Sequence, residues 1–510
     1  MWAQPHIGLL TIEYEPPAIP PPWWAPLCHC PSKLPTPEFI ARLLTLAEGD
    51  RLDPARLTEE RIRLQSSGVF AHVSHLLDTL TPTSVELRWI VSPRCLNVLV
   101  PIASLSRQAH HVGALLHTVS LWQPGDVLSA QLWYRQELGI GWETALRFYL
   151  PLSSLGNIEG AIRHHRYRTA YQLSIGSPPP HQPLQRWNGG IEWCQETGKF
   201  WDLRTSAPSL YTRRDCSLQT WLAWKTQRYD QLFITLLGQW QYASSPPGYR
   251  KAFDNTALLL LGVGSLAHRY QRLSSPLLQS DSCTVITGAW GAVICGLGFP
   301  SPHGGERFTY LAGELEQSVA RKHLLLSGRI AAGNAFAQRA ARYTVLETAL
   351  AGWLSLAPPL LLAWNGRHQN VWNWDAYRAE RLDALTGFPT LFPSTATDNR
   401  LELRTELRWR GNPITPEIGW TALFFHHIGT LWNQGTQLSN AHFRNATGFG
   451  FWLHVGGTQT LRWSLKPEIA YTHTLRRFLP LLHTELTTDV EHLHRYRLPR
   501  LLGAPLTEEP

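Results

Sequence analysis

Residues 401–410 read Leu-Glu-Leu-Arg-Thr-Glu-Leu-Arg-Trp-Arg, with a charge at every second position. In a strand, Glu402, Arg404, Glu406, Arg408 and Arg410 share one face, and Leu401, Leu403, Thr405, Leu407 and Trp409 share the other. Charges of both signs at this spacing favour ion pairing, and they need water or each other. The apolar face needs a core or a lipid tail. Other residues with chemical potential are weaker. His110-His111, His164-His165 and His426-His427 are adjacent pairs, and neighbours on a strand point to opposite faces, so none is a two-ligand chelate. Cys28-His29-Cys30 offers two thiols and an imidazole, but no second cluster supplies a fourth ligand at zinc-site spacing. The other cysteines among the seven are scattered. No nucleophile with a base, and no paired acid and base, stands out. The chain is therefore read as no enzyme, with no catalytic, metal or cofactor-binding residue.

The elements that carry these residues divide the chain. Residues 1–35 hold a strand near 7–14 and then a stiff proline-rich stretch through Pro16, Pro17, Pro20, Pro21 and Pro22. Residues 36–92 form a small α+β module. Thr36-Pro37 and Asp53-Pro54 each pair an N-cap with proline at the first helical position. The apolar positions Phe39, Ile40, Leu43 and Leu44, then Leu57, Ile62 and Leu64, fit two helices. Strands near 70–77 and 84–91 follow. The strand 7–14 is a candidate third member of that sheet.

From residue 96 to about 500 the pattern is strand and turn. Residues 127–136, 142–150, 218–228, 307–314, 449–455 and 461–471 alternate as 401–410 does. No exact repeat appears, which disfavours propellers and solenoids. The longest apolar run, 348–364, is broken by Pro358-Pro359 and reads as two strands and a turn. At about 25 residues per strand and connection, sixteen strands fit, and an even count closes a barrel. The fold expected is mainly β: an antiparallel transmembrane barrel of about sixteen strands after one small α+β domain, with 501–510 as a tail.

Composition agrees with a barrel and leaves its solvent open. The 510 residues are 44% hydrophobic and 16% charged, against roughly 25% charged for soluble domains. Mean hydropathy is only −0.18, which argues against helical spans. Twenty-three Trp and fifteen Tyr suit membrane interfaces, and equally suit glycan binding or core packing. The net charge of +8 is dispersed, so nucleic acid is a poor partner. The opening Met-Trp-Ala-Gln-Pro-His has no basic and apolar leader pattern. Either the protein is cytoplasmic or an export signal is missing from this form of the chain, and the barrel pattern favours the second.

The order of these segments resembles a known family. Gly49-Asp50 and Gly68-Val69-Phe70 within 36–92 are similar to a POTRA module. Gly125-Asp126 before the strand at Val127 looks like the first barrel hairpin of the BamA/TamA superfamily of surface-antigen barrels. Glu402-Leu403-Arg404 resembles its late E-L-R strand. Phe425, His427, Gly429 and Trp432 resemble its F-x-D-x-G-x-x-W strand, and Phe449-Gly450-Phe451 the glycine-rich strand after it. The family's inward loop carries an Arg-Gly-aromatic tip, matched here by Thr386-Gly387-Phe388. Thr386 stands where the family has arginine, and His427 where it has the aspartate that pairs with it. Losing both avoids stranding one buried charge. Restoring both, Thr386→Arg with His427→Asp, is expected to stabilise, and either alone to destabilise. The ending also departs, because Arg495-Tyr496 near the last strand is followed by a tail instead of a closing aromatic residue.

The resemblance implies a bacterial outer-membrane barrel with a periplasmic POTRA domain, assisting insertion or translocation of other proteins. Its implied partners are outer-membrane lipid and unfolded client proteins, which would add to the POTRA edge strand. Its implied lumen residues are Thr386, Gly387, Phe388, Phe425, His427 and Gly429, with Glu402, Arg404, Glu406 and Arg408 on the strand's lumen face. A passive porin or secretion pore is the alternative. A soluble, tryptophan-rich glycan-binding β-protein is the second.

Overall fold

The computed structural model describes residues 5–15, 35–44, 46–66, 70–93, 97–105, 110–119, 126–135, 139–149, 157–176, 187–202, 209–226, 232–246, 253–273, 283–300, 306–337, 340–373, 397–415, 418–433, 435–455, 461–488 and 500–502. The first elements are β1 (His6–Tyr14), α1 (Pro37–Leu43), α2 (Pro54–Ser66), β2 (Phe70–Thr81) and β3 (Ser84–Pro93). Both helices begin at the prolines that fix φ for a first turn, and Leu57 N–H donates to the Asp53 carbonyl at 3.0 Å. The sheet order is β1-β3-β2, with β1 parallel to β3 and β2 antiparallel to it. Ile7, Ile40, Leu57, Leu64, Phe70, Leu87 and Trp89 form one buried core under this sheet. The strand at the head of the chain therefore belongs to the module's core.

Twenty further strands close into one antiparallel barrel. They are β4 (Asn97–Leu105), β5 (His110–Val119), β6 (Val127–Arg135), β7 (Gly139–Tyr149), β8 (Asn157–His165), β9 (Arg168–Gly176) and β10 (Trp187–Asp202). Then come β11 (Ser209–Lys225), β12 (Leu232–Ser244), β13 (Thr256–Leu273), β14 (Cys283–Pro300), β15 (Phe308–Arg321), β16 (Leu324–Ala337) and β17 (Ala340–Ala357). The last are β18 (Leu360–Trp372), β19 (Asn399–Arg410), β20 (Ile418–Trp432), β21 (Arg444–Val455), β22 (Leu461–Thr472) and β23 (Arg477–Thr488).

The expected sixteen strands are thus twenty. The repeat is shorter than assumed because several connections are two-residue turns, at Arg166-Tyr167, Lys322-His323 and Pro358-Pro359. The hairpin β4–β5 also precedes the strand at Val127, so Gly125-Asp126 does not open the barrel. The chain enters β4 at what we call the near rim. Strands alternate from there, so β23 returns to the near rim at Thr488.

The inside and outside of the wall are set by alternation. Along β15, buried and exposed residues alternate from end to end. Leu311 is 52% exposed and Leu315 51%, whereas Glu314 and Glu316 on the other face are each 5% exposed. Apolar side chains outward and acids inward is the reverse of a water-soluble barrel. Some exposed aromatics sit at strand ends, Trp187 and Trp409 at the near rim and Phe336, Trp372 and Phe478 at the far rim, while Phe424 and Phe449 lie mid-strand on the outward face. An outward face of apolar and aromatic side chains fits lipid. No helix among the described residues is long and apolar enough to cross a membrane.

Candidate functional site: the barrel seam and the late-strand lumen network

On β19, the outward residues Leu403, Leu407 and Trp409 are exposed, while Glu406 is buried. Arg404, Glu406 and Arg408 meet Lys466 and Glu468 of β22. Glu406 accepts from Arg404 and, at 2.6 Å, from Arg408 Nε. Glu468 accepts from Arg404 Nη2 at 2.7 Å and from Lys466 Nζ at 3.1 Å. Lys466 Nζ also lies 3.3 Å from Glu406. β19 and β22 are not neighbours, since β20 and β21 stand between them. Three interstrand steps span roughly 14 Å of wall. Side chains diverge on the convex side of such an arc and converge on the concave side, so this contact marks the barrel interior.

Three cations share two carboxylates, an excess of one positive charge. Aromatic faces receive part of it. Arg404 stacks 4.9 Å from the Phe425 ring, and Arg408 and Lys466 each lie 5.1 Å from Trp452. Gly448 leaves room for the Phe425 ring. A Cβ at Gly448 would sit 2.6 Å from Phe425 Cζ. His427 is buried with its ring 5.2 Å from that of Phe425, and it is the cross-strand partner of Arg404. Gly429 follows on the same face, also buried. Glu402 pairs instead with Arg400 at 2.8 Å, further along β19.

The structure therefore brings Arg404, Glu406, Arg408, Phe425 and His427 together, with Glu402 and Gly429 nearby. Thr386, Gly387 and Phe388 lie outside the described residues, as do Cys28, His29, Cys30, Arg495 and Tyr496. Lys466 and Glu468 escape a reading confined to β19 and β20, although their two-residue spacing on an alternating strand was a usable signal. Among the described residues, no group of three or more His, Cys, Asp and Glu side chains could hold a metal ion.

The second feature is the seam where the last strand meets the first. β23 and β4 share only two residue pairs, Leu482 with Leu105 and His483 with Ser104. By contrast, β13 and β14 pair along their whole length, from Thr256–Pro300 to Leu273–Cys283. The seam pairs sit at the far end of β4, leaving its near-rim half without ladder partners on β23 among the described residues. Side chains substitute there. The Thr484 hydroxyl accepts from Ala103 N–H, and Trp463 Nε1 donates to the Pro101 carbonyl at 2.9 Å. Pro101 on β4 and Pro480 on β23 have no N–H to give to a ladder, as is also true of Pro467 on β22, which has a strand on each side.

A second ion cluster sits at the far rim. Arg213 of β11 forks onto Asp254, with Nη1 and Nη2 at 2.8 and 2.7 Å from its two oxygens. Its Nε donates to Asp215 at 2.8 Å. The fork pins the turn Phe253–Asn255, where Phe253 and Asn255 have φ of 65° and 58°.

No protein-family model and no curated protein matches the sequence. Among solved structures, BamA from Haemophilus ducreyi lacking POTRA domains 1–3 is similar over 94% of this chain and 85% of that one, at 10% identity and a TM-score of 0.41. CdiB from Acinetobacter baumannii is similar over 94% and 74%, at 10% identity and 0.44. CdiB from Escherichia coli is similar over 94% and 76%, at 8% identity and 0.44. Likeness at this level assigns no role to any residue.

Proposed function

We propose that this barrel works in the bacterial outer membrane and assists the insertion or translocation of other proteins, with the β4–β23 seam as the place where a client strand adds. The observation that carries this reading is the seam itself. A wall whose other joints run over eight or more residue pairs has one joint held by two residue pairs and a few side-chain bonds. An unpaired strand edge offers backbone donors and acceptors to any extended segment, so a client hairpin can extend the sheet there. The small module supplies a POTRA-like docking surface in the periplasm. Its edge strand β2 exposes Leu76, Leu77 and Leu80, which suit the apolar residues of an unfolded client.

The test is a covalent lock. Ser104 and His483 are directly opposed, a separation that a disulfide can bridge. In a chain whose own cysteines are replaced by serine, Ser104→Cys with His483→Cys is oxidised in liposomes. A small outer-membrane barrel is then offered as client. The expected result is loss of client insertion on oxidation and recovery on reduction. Equal insertion by the locked and unlocked forms would remove the seam from the mechanism, and unchanged ion conductance with no insertion in either form would leave a passive pore.

A further inference from the structure

The charges of the late-strand network are layered. The side chains of Glu406 and Glu468 are 5% and 1% exposed, whereas Arg408 is 31% exposed and Arg404 and Lys466 are half-buried. All five face the barrel interior, so the acids lie against the wall and the cations meet the lumen. Glu402, Glu406 and Glu468 are the only acidic residues on β18–β22, and Glu402 is taken up by Arg400 at 2.8 Å. Arg367 of β18 lies opposite Glu402, and Arg444 of β21 lies opposite Gly429, so both share the inward face. This sector of the lumen wall is therefore basic. The sector on β15–β17 has the opposite balance, with Glu314, Glu316 and Glu347 around Arg329.

The cations of the network also keep donors to spare. Arg408 commits Nε to Glu406 at 2.6 Å. Arg404 commits Nε to Glu406 and Nη2 to Glu468. Both terminal nitrogens of Arg408, and Nη1 of Arg404, make no hydrogen bond among the described residues. The two terminal nitrogens of a guanidinium present parallel N–H bonds that fit two oxygens of one anion. The Arg408 guanidinium is held from two sides, by the Glu406 carboxylate at Nε and by the Trp452 ring on its face. Its fork edge is what remains. Lys466 Nζ has three N–H bonds for two carboxylate partners.

We propose that this patch is an anion site on the inner wall, taking one oxyanion end-on at the Arg408 fork with Lys466 beside it. Arg408 and Lys466 share Glu406, so one small anion can touch both. The network has one positive charge over, and a bound anion balances it. The buried acids beneath hold the cations in place and limit the charge that the site accepts, which suits a small group of one or two charges. Lipid around the wall screens poorly, so the attraction exceeds that of the same residues on an open surface. The oxyanion is that of a free solute or of an acidic side chain on a polypeptide in the lumen, since both present two oxygens. The site needs only the wall, and stands apart from the client reading.

The test is equilibrium dialysis of the full chain in detergent at pH 8, with radiolabelled inorganic phosphate and the ionic strength held by sodium chloride. The wild type is expected to bind phosphate at a single saturable site. Arg408→Gln removes the fork and leaves two cations for two carboxylates, so the wall stays balanced. Phosphate should then bind at least about tenfold more weakly, as charged hydrogen bonds are lost. Arg408→Lys keeps the charge without the fork and should fall between the two. Arg342→Gln, whose arginine pairs with Glu306 at the far rim, should bind as the wild type does. Competition separates the sources. If an end-blocked peptide with one glutamate displaces phosphate at a lower concentration than acetate, the site takes a polypeptide side chain, and the reverse order assigns it to a solute. Absence of saturable phosphate binding by the wild type would overturn the site, and so would equal binding by Arg408→Gln or by Arg408→Lys.

Discussion

Glu468 and Glu306 are both paired carboxylates, and burial separates them. Glu468 is 1% exposed and holds Arg404 and Lys466, whereas Glu306 pairs with Arg342 with both largely in solvent. Glu468→Gln leaves three cations with one carboxylate inside the wall, and should cost about 3–5 kcal/mol. Glu306→Gln should cost about 1 kcal/mol or less. Urea unfolding in detergent micelles measures both, and equal midpoints would show that the network is solvated. The same network revises an expectation about His427. That residue faces Arg404 across the strand pair, beside a surplus cation. His427→Asp alone should therefore find a partner in Arg404 and be tolerated, without arginine at position 386. A double-mutant cycle with Arg404→Leu should show favourable coupling between Asp at 427 and Arg404, and zero coupling would refute the pairing. The inward charges of β19 were legible in the sequence because alternation is local. Their partners on β22 were not, because contact across three strands depends on curvature and register, which no local pattern encodes. The Arg213–Asp254 fork was hidden for the same reason.

At the scale of elements, alternation made most strands readable, and 348–364 divided at Pro358-Pro359 into β17 and β18. The strand count was not readable, since a two-residue turn leaves almost no signal between two apolar runs. The wall makes a direct claim about which side chains meet lipid. Leu403→Arg should destabilise the barrel by about 2–4 kcal/mol if it lies near mid-membrane, and Arg404→Leu should spare the outer wall while altering pore selectivity. Aqueous cysteine labelling at 403 but not 404 would reverse the faces. The small module offers another test. β1 pairs with the central strand β3 and buries Ile7, so a fragment of residues 1–93 should melt cooperatively and one of 36–92 should be weaker or unfolded. Within it, burial and then the Arg61 charge hold His75 below the usual histidine range. A histidine depressed in the folded state favours folding while neutral. Its contribution is present above the ordinary value of 6.5 and lost as pH falls below it. The melting temperature of the 1–93 fragment should therefore fall on acidification through that range, and His75→Phe should blunt the fall. An unchanged pH dependence in the variant would assign the effect elsewhere.

For the whole molecule, the question is where the wall yields first. A barrel normally removes edges, since closure pairs every strand on both sides. Here closure is incomplete at one joint, and the near-rim half of β4 has β5 on one side and little on the other. Each backbone hydrogen bond contributes about 0.5–1.5 kcal/mol net. A joint short of several such bonds should therefore open locally while the rest of the wall stays intact, which is the behaviour of a low-stability unit within a stable fold. Leu501 and Leu502 pack on β12–β18, across the ring from the seam in strand order, so their docking and seam opening draw on separate parts of the wall. Hydrogen exchange on the barrel in lipid nanodiscs can compare them. The Leu99 amide, on the same edge of β4 as that of Ala103, should exchange far faster than those of β13 and β14, and the oxidised Ser104→Cys/His483→Cys form should slow it without touching β13. The Leu501→Asp/Leu502→Asp variant should leave seam exchange as it is. Protection of β4 equal to that of β14 would mean that the joint is held by more than two residue pairs and a threonine, and that strand addition has to begin somewhere else.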